Sequence, residues 1–283
     1  MKILLTVQQM WPIRGSESWC YAVGSELVRR GHEVCIYSPM PREGIPYFAQ
    51  AGINYVTSGD FDLVIENHRV ITPNFRFRKL VHICHGVIPE ERPMPGYPNI
   101  AVNERVRRHW GLTHVVNQGI DTERFKATRN ANNEIRNVLS LCSSKEADVV
   151  LKEICAARGY SFWPTAGQEI PQVENLINWA DLVFGVGRSC LDAMSCARPV
   201  ISFDSRPYIH PCHGLGYLTP EILDADLTNL TGPANTWTVE SLMKEIDKYN
   251  SADGIVNREW VIRNRNIKDV VDKLLKIVEL PNS

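Results

Sequence analysis

The stretch ADLVFGVGRSCLDAMSCARPVISFD, residues 180–204, decides the fold prediction. It reads as a short apolar strand, a turn with glycines, a helix and a second apolar strand. Gly185 and Gly187 would let the backbone approach a ligand closely, because glycine has no side chain to obstruct it. A helix that begins near Ser189 would aim N–H groups and the positive end of its dipole at that ligand, which suits a diphosphate.

Asp192 lies one turn into this predicted helix, where a carboxylate can reach the hydroxyls of a ribose. The same spacing also has a purely structural interpretation, since Ser189 and Asp192 match the Ser-x-x-Asp pattern of a capping box. Spacing alone leaves both interpretations open.

Outside this segment, short apolar runs alternate with amphipathic stretches. The runs are apolar on both faces, which is typical of parallel strands covered by helices. We therefore predict an α/β fold with two Rossmann-like, doubly wound parallel sheets. The predicted strands are 3–7, 34–38, 54–56, 63–65, 80–84, 100–102 and 115–117, followed by 138–142, 161–163, 182–186 and 200–203.

A polar segment marks the predicted domain boundary. Residues 127–136, ATRNANNEIR, carry three asparagines and read as a linker between two sets of βαβ units. We predict an N-terminal domain at 1–127 and a C-terminal domain at 128–265. The interval 205–235 is rich in Pro, His and Gly, and we expect it to be irregular.

Composition narrows the class of protein. The chain has 283 residues and a formal net charge of -1, which argues against bulk electrostatic binding to nucleic acid. Its eight cysteines form no C-x-x-C pair, and several lie in apolar runs, as buried thiols of a reducing compartment do. No run of about 18 apolar residues occurs. We expect a cytoplasmic protein, at most peripheral to a membrane.

The run from Asp192 to Val200, DAMSCARPV, resembles the signature of family-4 glycosyltransferases, which have the GT-B fold. That family commonly shows Glu-Ala-Met-x-x-Gly-x-Pro-Val after a strand and a turn. The resemblance implies that Asp192 binds the ribose of a sugar-nucleotide donor. This chain departs from the pattern twice: the acid is Asp, and Phe184 stands where the family has an earlier acid.

The resemblance extends over most of the chain. The opening strand leads to a loop glycine, Gly15, and to a helix that ends in the family-like run 30–34, RGHEV. The run 117–125, NQGIDTERF, is similar to the Asn-Gly-Ile-Asp run that precedes a Phe in the family. The resemblance implies a donor-binding role for Gly15, two facing domains, and a last helix at 266–283 that packs back on the first domain.

Two basic residues are candidates for binding the donor phosphates. Lys145 occupies the place of a phosphate-binding lysine of the family, whereas the family's arginine falls at Ser140 here. We hypothesise that Arg188, in the glycine turn, replaces that arginine, because a guanidinium matches phosphate geometry. The predicted donor-binding set is Gly15, Lys145, Gly187, Arg188, Ser189 and Asp192.

The run 81–86, VHICHG, carries the candidate catalytic residue His85. It lies at the carboxyl end of a predicted strand, the edge at which open α/β sheets bind ligands. An imidazole there can hydrogen-bond a sugar hydroxyl or a phosphate, and the resemblance implies a histidine near the reacting sugar. The alternative is a satisfied loop or core histidine, which we favour for His82.

Metal chemistry is not predicted. His82 and His85, or His210 and His213, have neighbouring cysteines, but the pairs lie in different predicted domains and each is explained locally. The Asp-x-Asp runs at 60–62 and 224–226 do not follow strands, the first preceding one and the second lying in the irregular interval. We expect no metal and no cofactor, with a nucleoside-diphosphate sugar as donor substrate and a UDP-sugar favoured.

These observations predict a glycosyltransferase that acts on an acceptor hydroxyl, with retention of anomeric configuration implied by the resemblance. The acceptor would be a glycan or a lipid-linked or polymeric molecule, and nucleic acid is possible but not favoured. The basic runs 76–79 and 105–108 are either solvated faces or an anionic-acceptor surface. Two alternatives stay open: a sugar-nucleotide epimerase of the same fold, and a non-catalytic subunit that binds sugar nucleotides.

Overall fold

A computed structural model describes residues 1–142, 144–168, 170, 172–206, 211–226, 228 and 230–279. They form two compact units. The first combines Met1–Gly119 with Ile267–Ser283, and the second is Ile120–Asn266. The division therefore falls at residue 119, not at the predicted 127, and the described part of the last helix belongs to the first unit.

In the first unit, the described strands form one sheet in the order β3-β2-β1-β4-β5-β6-β7, and every neighbouring pair is parallel. The strands are β1 (Lys2–Thr6), β2 (Glu33–Tyr37), β3 (Asn54–Tyr55), β4 (Gly59–Asn67), β5 (Phe75–Cys84), β6 (Asn99–Ala101) and β7 (His114–Val115). The helices are α1 (Gly15–Arg29), α2 (Gly44–Ala49) and α3 (Glu104–Trp110), with a short 3-10 turn at Pro89–Glu91.

In the second unit, the described strands follow the order β12-β11-β10-β8-β9. They are β8 (Asn137–Leu141), β9 (Ser161–Pro164), β10 (Leu182–Gly185), β11 (Val200–Asp204) and β12 (His213–Tyr217). All pairs are parallel except β11 with β12. The helices are α4 (Lys145–Arg158), α5 (Val173–Trp179), α6 (Arg188–Ser195), α7 (Pro220–Ala225), α8 (Val239–Ile246) and α9 (Ser251–Arg265), and α10 (Ile267–Glu279) returns to the first unit.

The predicted α/β class with two mainly parallel sheets is confirmed. The apolar runs predicted most of the strands because the apolar side chains of those strands are buried. In the first unit, the apolar stripe of α10 joins α1 in one core with strands β1, β2, β4 and β5; its buried members are Ile267, Val270, Val271, Leu274 and Ile277.

Strands β4 and β5 are longer than predicted because charged residues continue both of them. Asp60 forms two hydrogen bonds with Arg76, its register partner, and Asp62 lies 3.6 Å from Arg78. The expectation that the first Asp-x-Asp run precedes a strand is wrong, since it lies inside β4. The basic run 76–79 is a solvated strand face balanced by acids, and Arg107 and Arg108 are likewise paired with Glu104.

The predicted linker is wrong as well. Asp181 is fully buried and accepts hydrogen bonds from the backbone N–H groups of Asn132, Arg136 and Asn137. Burial acts to raise the pKa of Asp181, but these N–H groups and Arg129 outweigh it and hold the pKa below its usual value. The polar side chains of this segment thus attach it to the second unit.

The interval 205–235 is also more ordered than predicted. It contains β12 and α7, and Asp224 lies within α7. His210 lies outside the described residues, while His213 begins β12. Strand β12 was not predicted because its polar residue and its glycines, His213, Gly214 and Gly216, interrupt the apolar run that would indicate a strand. All eight cysteines lie within the described residues and are free. Over the described ranges, no helix is both long and apolar enough to cross a membrane.

Candidate functional site

The second unit has a topological switch point between β8 and β10. From β8 the chain runs through α4 to β9 on one side, and α5 then carries it to β10 on the other side of β8. Ligands of open α/β sheets bind at the carboxyl ends of strands at such a point. The start of α4 follows the end of β8, and the turn before α6 follows the end of β10. The Ser189 hydroxyl lies 3.3 Å from the Leu141 carbonyl oxygen, which brings this turn to the end of β8.

The turn between β10 and α6 uses most of its own backbone amides. The N–H of Val186 donates to the Ser189 hydroxyl, and the N–H of Gly187 donates to the Leu230 carbonyl at 3.1 Å. The N–H groups of Ser189 and Cys190 donate to the carbonyls of Val186 and Gly187. The expectation that the tip of this helix offers these amides to a ligand is therefore wrong, because acceptors in the turn and the Leu230 carbonyl already occupy them.

The two glycines serve the geometry of this turn. Gly187 has a φ of 57°, in a region that residues other than glycine rarely adopt, and it is the N-cap of α6. A Cβ atom on Gly185 would lie 2.8 Å from the Ser189 hydroxyl. Since Gly187 is the N-cap, the capping-box interpretation of Ser189 and Asp192 is excluded.

Asp192 is the unusual group of this site. Its side chain is 13% exposed, and its Oδ1 atom is buried with no hydrogen-bond partner in the described part of the chain. The Nε atom of Arg188, one turn earlier, lies 3.8 Å from this oxygen. Burial raises the pKa of Asp192, and the positive charges of Arg188 and Arg124 oppose that effect.

Sequence reasoning missed two residues beside Asp192. Arg124 forms an ion pair with Glu174 at 3.1 Å, and both charges act on the pKa of Asp192. Arg124 belongs to the family-like run 117–125, which we interpreted as structural. The signal that could have indicated it is the single arginine in that run, but its approach to Asp192 depends on tertiary structure.

Lys145 is the first residue of α4 and is exposed. Ser144 caps this helix by accepting a hydrogen bond from the N–H of Ala147. Within the described residues the Lys145 ammonium group forms no ion pair. Ser140 is fully buried in β8, so the position of the family's arginine is part of the core here. The exposed cation at the switch point is therefore Lys145.

The first unit has its own switch point, between β1 and β4. Chain order runs from β1 to β2 on one side and returns to β4 on the other side. Asn67 is the last residue of β4, His68 follows it, and His85 follows β5. Because β4 and β5 are neighbouring parallel strands, these three residues lie at one edge of the sheet. His68 and Asn67 were not predicted as site residues, although the run Glu66-Asn67-His68 at a strand end is a signal that could have indicated them.

His85 is held on several sides. Its Nε2 atom lies 2.5 Å from Oδ1 of Asn67, and its backbone N–H donates to Glu91. The ring packs edge-on against Trp19 and stacks on His68, with centroids 5.4 and 5.7 Å away. Burial lowers the pKa of His85 to about 3, against the attraction of Glu91. The ring is therefore neutral near pH 7.

His68 and Glu91 form the second layer of this cluster. The Nδ1 atom of His68 accepts a hydrogen bond from the N–H of Gln8, and its Nε2 atom lies 3.4 Å from Oε1 of Glu91. Burial acts to raise the pKa of Glu91, but His68 and His85 bring it down to about 2. Glu91 is thus an ionised acceptor that contacts the ring of His68 and the backbone N–H of His85.

The remaining predicted residues of the first unit are simpler. His82 is fully buried, and burial lowers its pKa to about 4. Neither of its ring nitrogens has a hydrogen-bond partner among the described residues, so it is a core histidine but not the satisfied one that was expected. Gly15 begins α1 and is exposed, and a Cβ atom there would meet nothing within 4 Å. Glu17, in the same turn, accepts a hydrogen bond from the N–H of Arg14. No group of three potential metal ligands occurs among the described residues.

The chain was compared with known proteins. No protein-family model and no curated protein matches it. Solved structures match along nearly its whole length. HepE of Anabaena, in complex with UDP-glucose, has a TM-score of 0.62 at 14% identity, covering 98% of this chain and 99% of that chain. WaaG, a glycosyltransferase involved in lipopolysaccharide biosynthesis, has a TM-score of 0.62 at 12% identity, covering 99% and 100%.

A third similar structure is an α-glucosyltransferase in complex with UDP and a 13-mer DNA that contains an HMU base. Its TM-score is 0.65 at 7% identity, and the match covers 99% of this chain and 100% of that chain. At such identities the likeness shows the fold alone. The chain has the GT-B glycosyltransferase fold, which confirms the fold expected from its resemblance.

Proposed function

We propose that this chain is a glycosyltransferase that moves a sugar from a nucleoside-diphosphate sugar to an acceptor hydroxyl. The observation that carries the proposal is the buried Oδ1 of Asp192, which accepts no hydrogen bond from the described residues and lies beside a sheet switch point that also has the exposed Lys145. Leaving a buried acceptor unpaired costs about 1–3 kcal/mol. A ribose hydroxyl that donates to Asp192 would remove this cost, so the site favours a nucleotide.

In this proposal, side chains stabilise the negative charge on the leaving diphosphate. Because the amides of Val186, Gly187, Ser189 and Cys190 already donate to acceptors of the protein, helix-tip amides contribute less than the sequence suggested. Lys145 would stabilise the developing negative charge. Arg188 lies close enough to Asp192 to orient its carboxylate, and its guanidinium is the second candidate for the phosphates.

The donor and acceptor remain part of the proposal. A UDP-sugar is favoured, since similar structures contain UDP-glucose, or UDP and glucose, or UDP with DNA. The ion pairs along 76–79 and at Glu104 give no support to a polyanionic acceptor. We propose a glycan or a lipid-linked or other polymeric acceptor, transfer with retention, no metal in the reaction and a location in the cytoplasm, which the free thiols support.

A thermal-shift screen with UDP-, GDP-, ADP- and dTDP-sugars tests the proposal, followed by an assay for release of the nucleoside diphosphate. We expect one donor class to stabilise the protein and to be turned over, and Lys145→Ala to weaken both effects. Lys152→Ala is the matched control, because Lys152 is exposed on the same helix. Stabilisation by no sugar nucleotide would refute the proposal. Tight binding without any turnover would instead favour the non-catalytic subunit.

A further inference from the structure

The orientation of the Asn67 amide is fixed by its surroundings. Its Nδ2 group donates to the carbonyl oxygen of Thr6 at 2.8 Å, with the Ile65 carbonyl and the Cys20 sulfur further away. A flipped amide would place Oδ1 against carbonyl oxygens, which is repulsive. Oδ1 therefore faces the ring of His85. Asn67 is fully buried, so no water competes for this contact.

This orientation determines where the proton of His85 lies. Oδ1 of an asparagine only accepts hydrogen bonds, so the Nε2 atom that lies 2.5 Å away must carry the hydrogen. A neutral imidazole carries one N–H, and the lone pair is then on Nδ1. Nδ1 makes no hydrogen bond with the described residues, and it is not among their buried unpaired atoms. This atom is therefore not fully enclosed by the described residues.

Other groups around the ring keep it neutral and in place. The ionised Glu91 accepts from the backbone N–H of His85 and attracts a proton to the ring, but burial and the neighbouring rings of His68 and His82 oppose protonation more strongly. Trp19 covers the edge of the ring. A neutral ring with a fixed tautomer is a different recognition group from an imidazolium, because its open nitrogen accepts a hydrogen bond instead of donating one.

We infer that Asn67 is a positioning residue that fixes His85 in the Nε2–H tautomer, so that Nδ1 accepts a hydrogen bond from a hydroxyl group of a sugar substrate. A lone pair repels phosphate oxygens, so in this tautomer His85 does not take the phosphate role that the sequence had left open. The identity of the hydroxyl as part of a sugar rests on the proposed function. The tautomer does not, because it follows from the contacts of Asn67 alone.

Two-bond ¹H–¹⁵N correlation spectra of the histidine rings near pH 7 test this inference in the ligand-free protein. His85→Gln identifies the resonances of residue 85. We expect a protonated Nε2 and an unprotonated Nδ1 in the wild type. Asn67→Leu, which removes the acceptor, should shift His85 to a mixture of tautomers. Thr6→Val is the matched control: it removes a hydroxyl that bonds the backbone of Asn67 but keeps the Thr6 carbonyl that orients the amide.

A wild-type His85 protonated at Nδ1, or a tautomer unchanged in Asn67→Leu, would overturn the inference. If Asn67→Leu does not fold, Asn67→Asp replaces it. A carboxylate facing Nε2–H should move the titration of His85 to higher pH, and an unmoved titration contradicts the inference. Inorganic phosphate should leave both ring resonances in place, and conversion to the imidazolium by phosphate would exclude the hydroxyl assignment. These readouts need no sugar nucleotide, so they are independent of a failure of the proposed function.

Discussion

At the scale of single residues, Oδ1 of Asp192 distinguishes the second unit. A buried carboxylate is tolerated when charges or hydrogen bonds compensate it. Here Arg188 and Arg124 supply charge, but the described residues supply no hydrogen bond to this oxygen. The missing partner is what the proposed ribose would provide.

Asp192→Asn should weaken binding of the favoured nucleotide sugar about 10- to 100-fold, since a hydrogen bond to a charged group contributes about 1.5–3 kcal/mol. Isothermal titration calorimetry measures the change. Asp247→Asn is the control, because it removes a carboxylate of the same unit that forms an exposed ion pair with Arg158. Equal affinities of wild type and Asp192→Asn would remove Asp192 from the donor site.

The buried histidines make the stability of the first unit depend on pH. Folding lowers the pKa of His82 to about 4 and that of His85 to about 3, from ordinary values near 6.5. The unfolded state therefore binds more protons below pH 6.5. Stability is full above that pH and falls as the pH decreases, with a slope of up to about 1.4 kcal/mol per pH unit for each ring.

His82→Gln should reduce the slope of the free energy of unfolding against pH by up to about 1.4 kcal/mol per pH unit between pH 6 and 4.5, which corresponds to one proton. This holds whatever its effect on stability at pH 7. Urea unfolding at several pH values gives the slope. His109→Gln is the control, since His109 is exposed on α3. A slope that is the same in His82→Gln and the control would show that His82 is not buried in its neutral form.

Single residues also show where sequence reasoning stops. The positions of His85, Lys145 and Asp192 at strand ends or helix starts followed from local patterns. The contact between Asn67 and His85 did not, because 18 residues separate them and only the pairing of β4 with β5 brings them together. The hydrogen bond of the Gly187 N–H, in the turn before α6, could not be predicted either, because its acceptor Leu230 is distant in sequence.

At the scale of elements, α9 determines where α6 lies. Gly254 of α9 packs against the chain just after α6, and a Cβ atom there would lie 2.3 Å from the Ala197 carbonyl oxygen. The close approach of these two helices fixes the backbone that carries Arg188 and Asp192. The site thus depends on a residue that has no chemistry of its own.

Gly254→Ala should destabilise the second unit by about 1–3 kcal/mol through overpacking, although alanine favours a helix by about 1 kcal/mol. Ile255→Ala is the control, because Ile255 is 50% exposed on the same helix. Thermal unfolding of both variants measures the difference. A Gly254→Ala protein more stable than the wild type would contradict the close packing of α6 and α9.

Elements with an apolar pattern were predicted, and those whose order depends on polar partners were not. Strand β10 could be predicted because its residues are apolar and covered on both faces. The first halves of β4 and β5 could not, because their charges are balanced only across the two strands, as Asp60 and Arg76 show. The segment before β8 looked like a linker because its partner, the buried Asp181, lies more than 40 residues away.

At the scale of the whole molecule, the chain returns to its first unit at its end. Helix α10 follows the second unit in sequence, but its buried face belongs to the core that contains α1 and the first sheet. The stability of the first unit therefore depends on residues that follow Gly119, the end of its first segment, by almost 150 positions.

Leu274→Ala should destabilise the first unit by about 2–5 kcal/mol, because Leu274 is fully buried. Hydrogen exchange measured by mass spectrometry should increase in Met1–Gly119 and stay unchanged in Ile120–Asn266. Lys273→Ala, at an exposed neighbouring position, serves as the control. Faster exchange confined to Ile120–Asn266 would contradict the assignment of α10.

The central claim is that the carboxyl edge of β8 and β10 binds a nucleoside diphosphate. A crystal structure of the protein with UDP tests it most directly. The account predicts a ribose hydroxyl within hydrogen-bond distance of Asp192 Oδ1 and a phosphate oxygen within reach of the Lys145 ammonium. UDP bound at another edge of the fold, with Oδ1 of Asp192 still unpartnered, would contradict it.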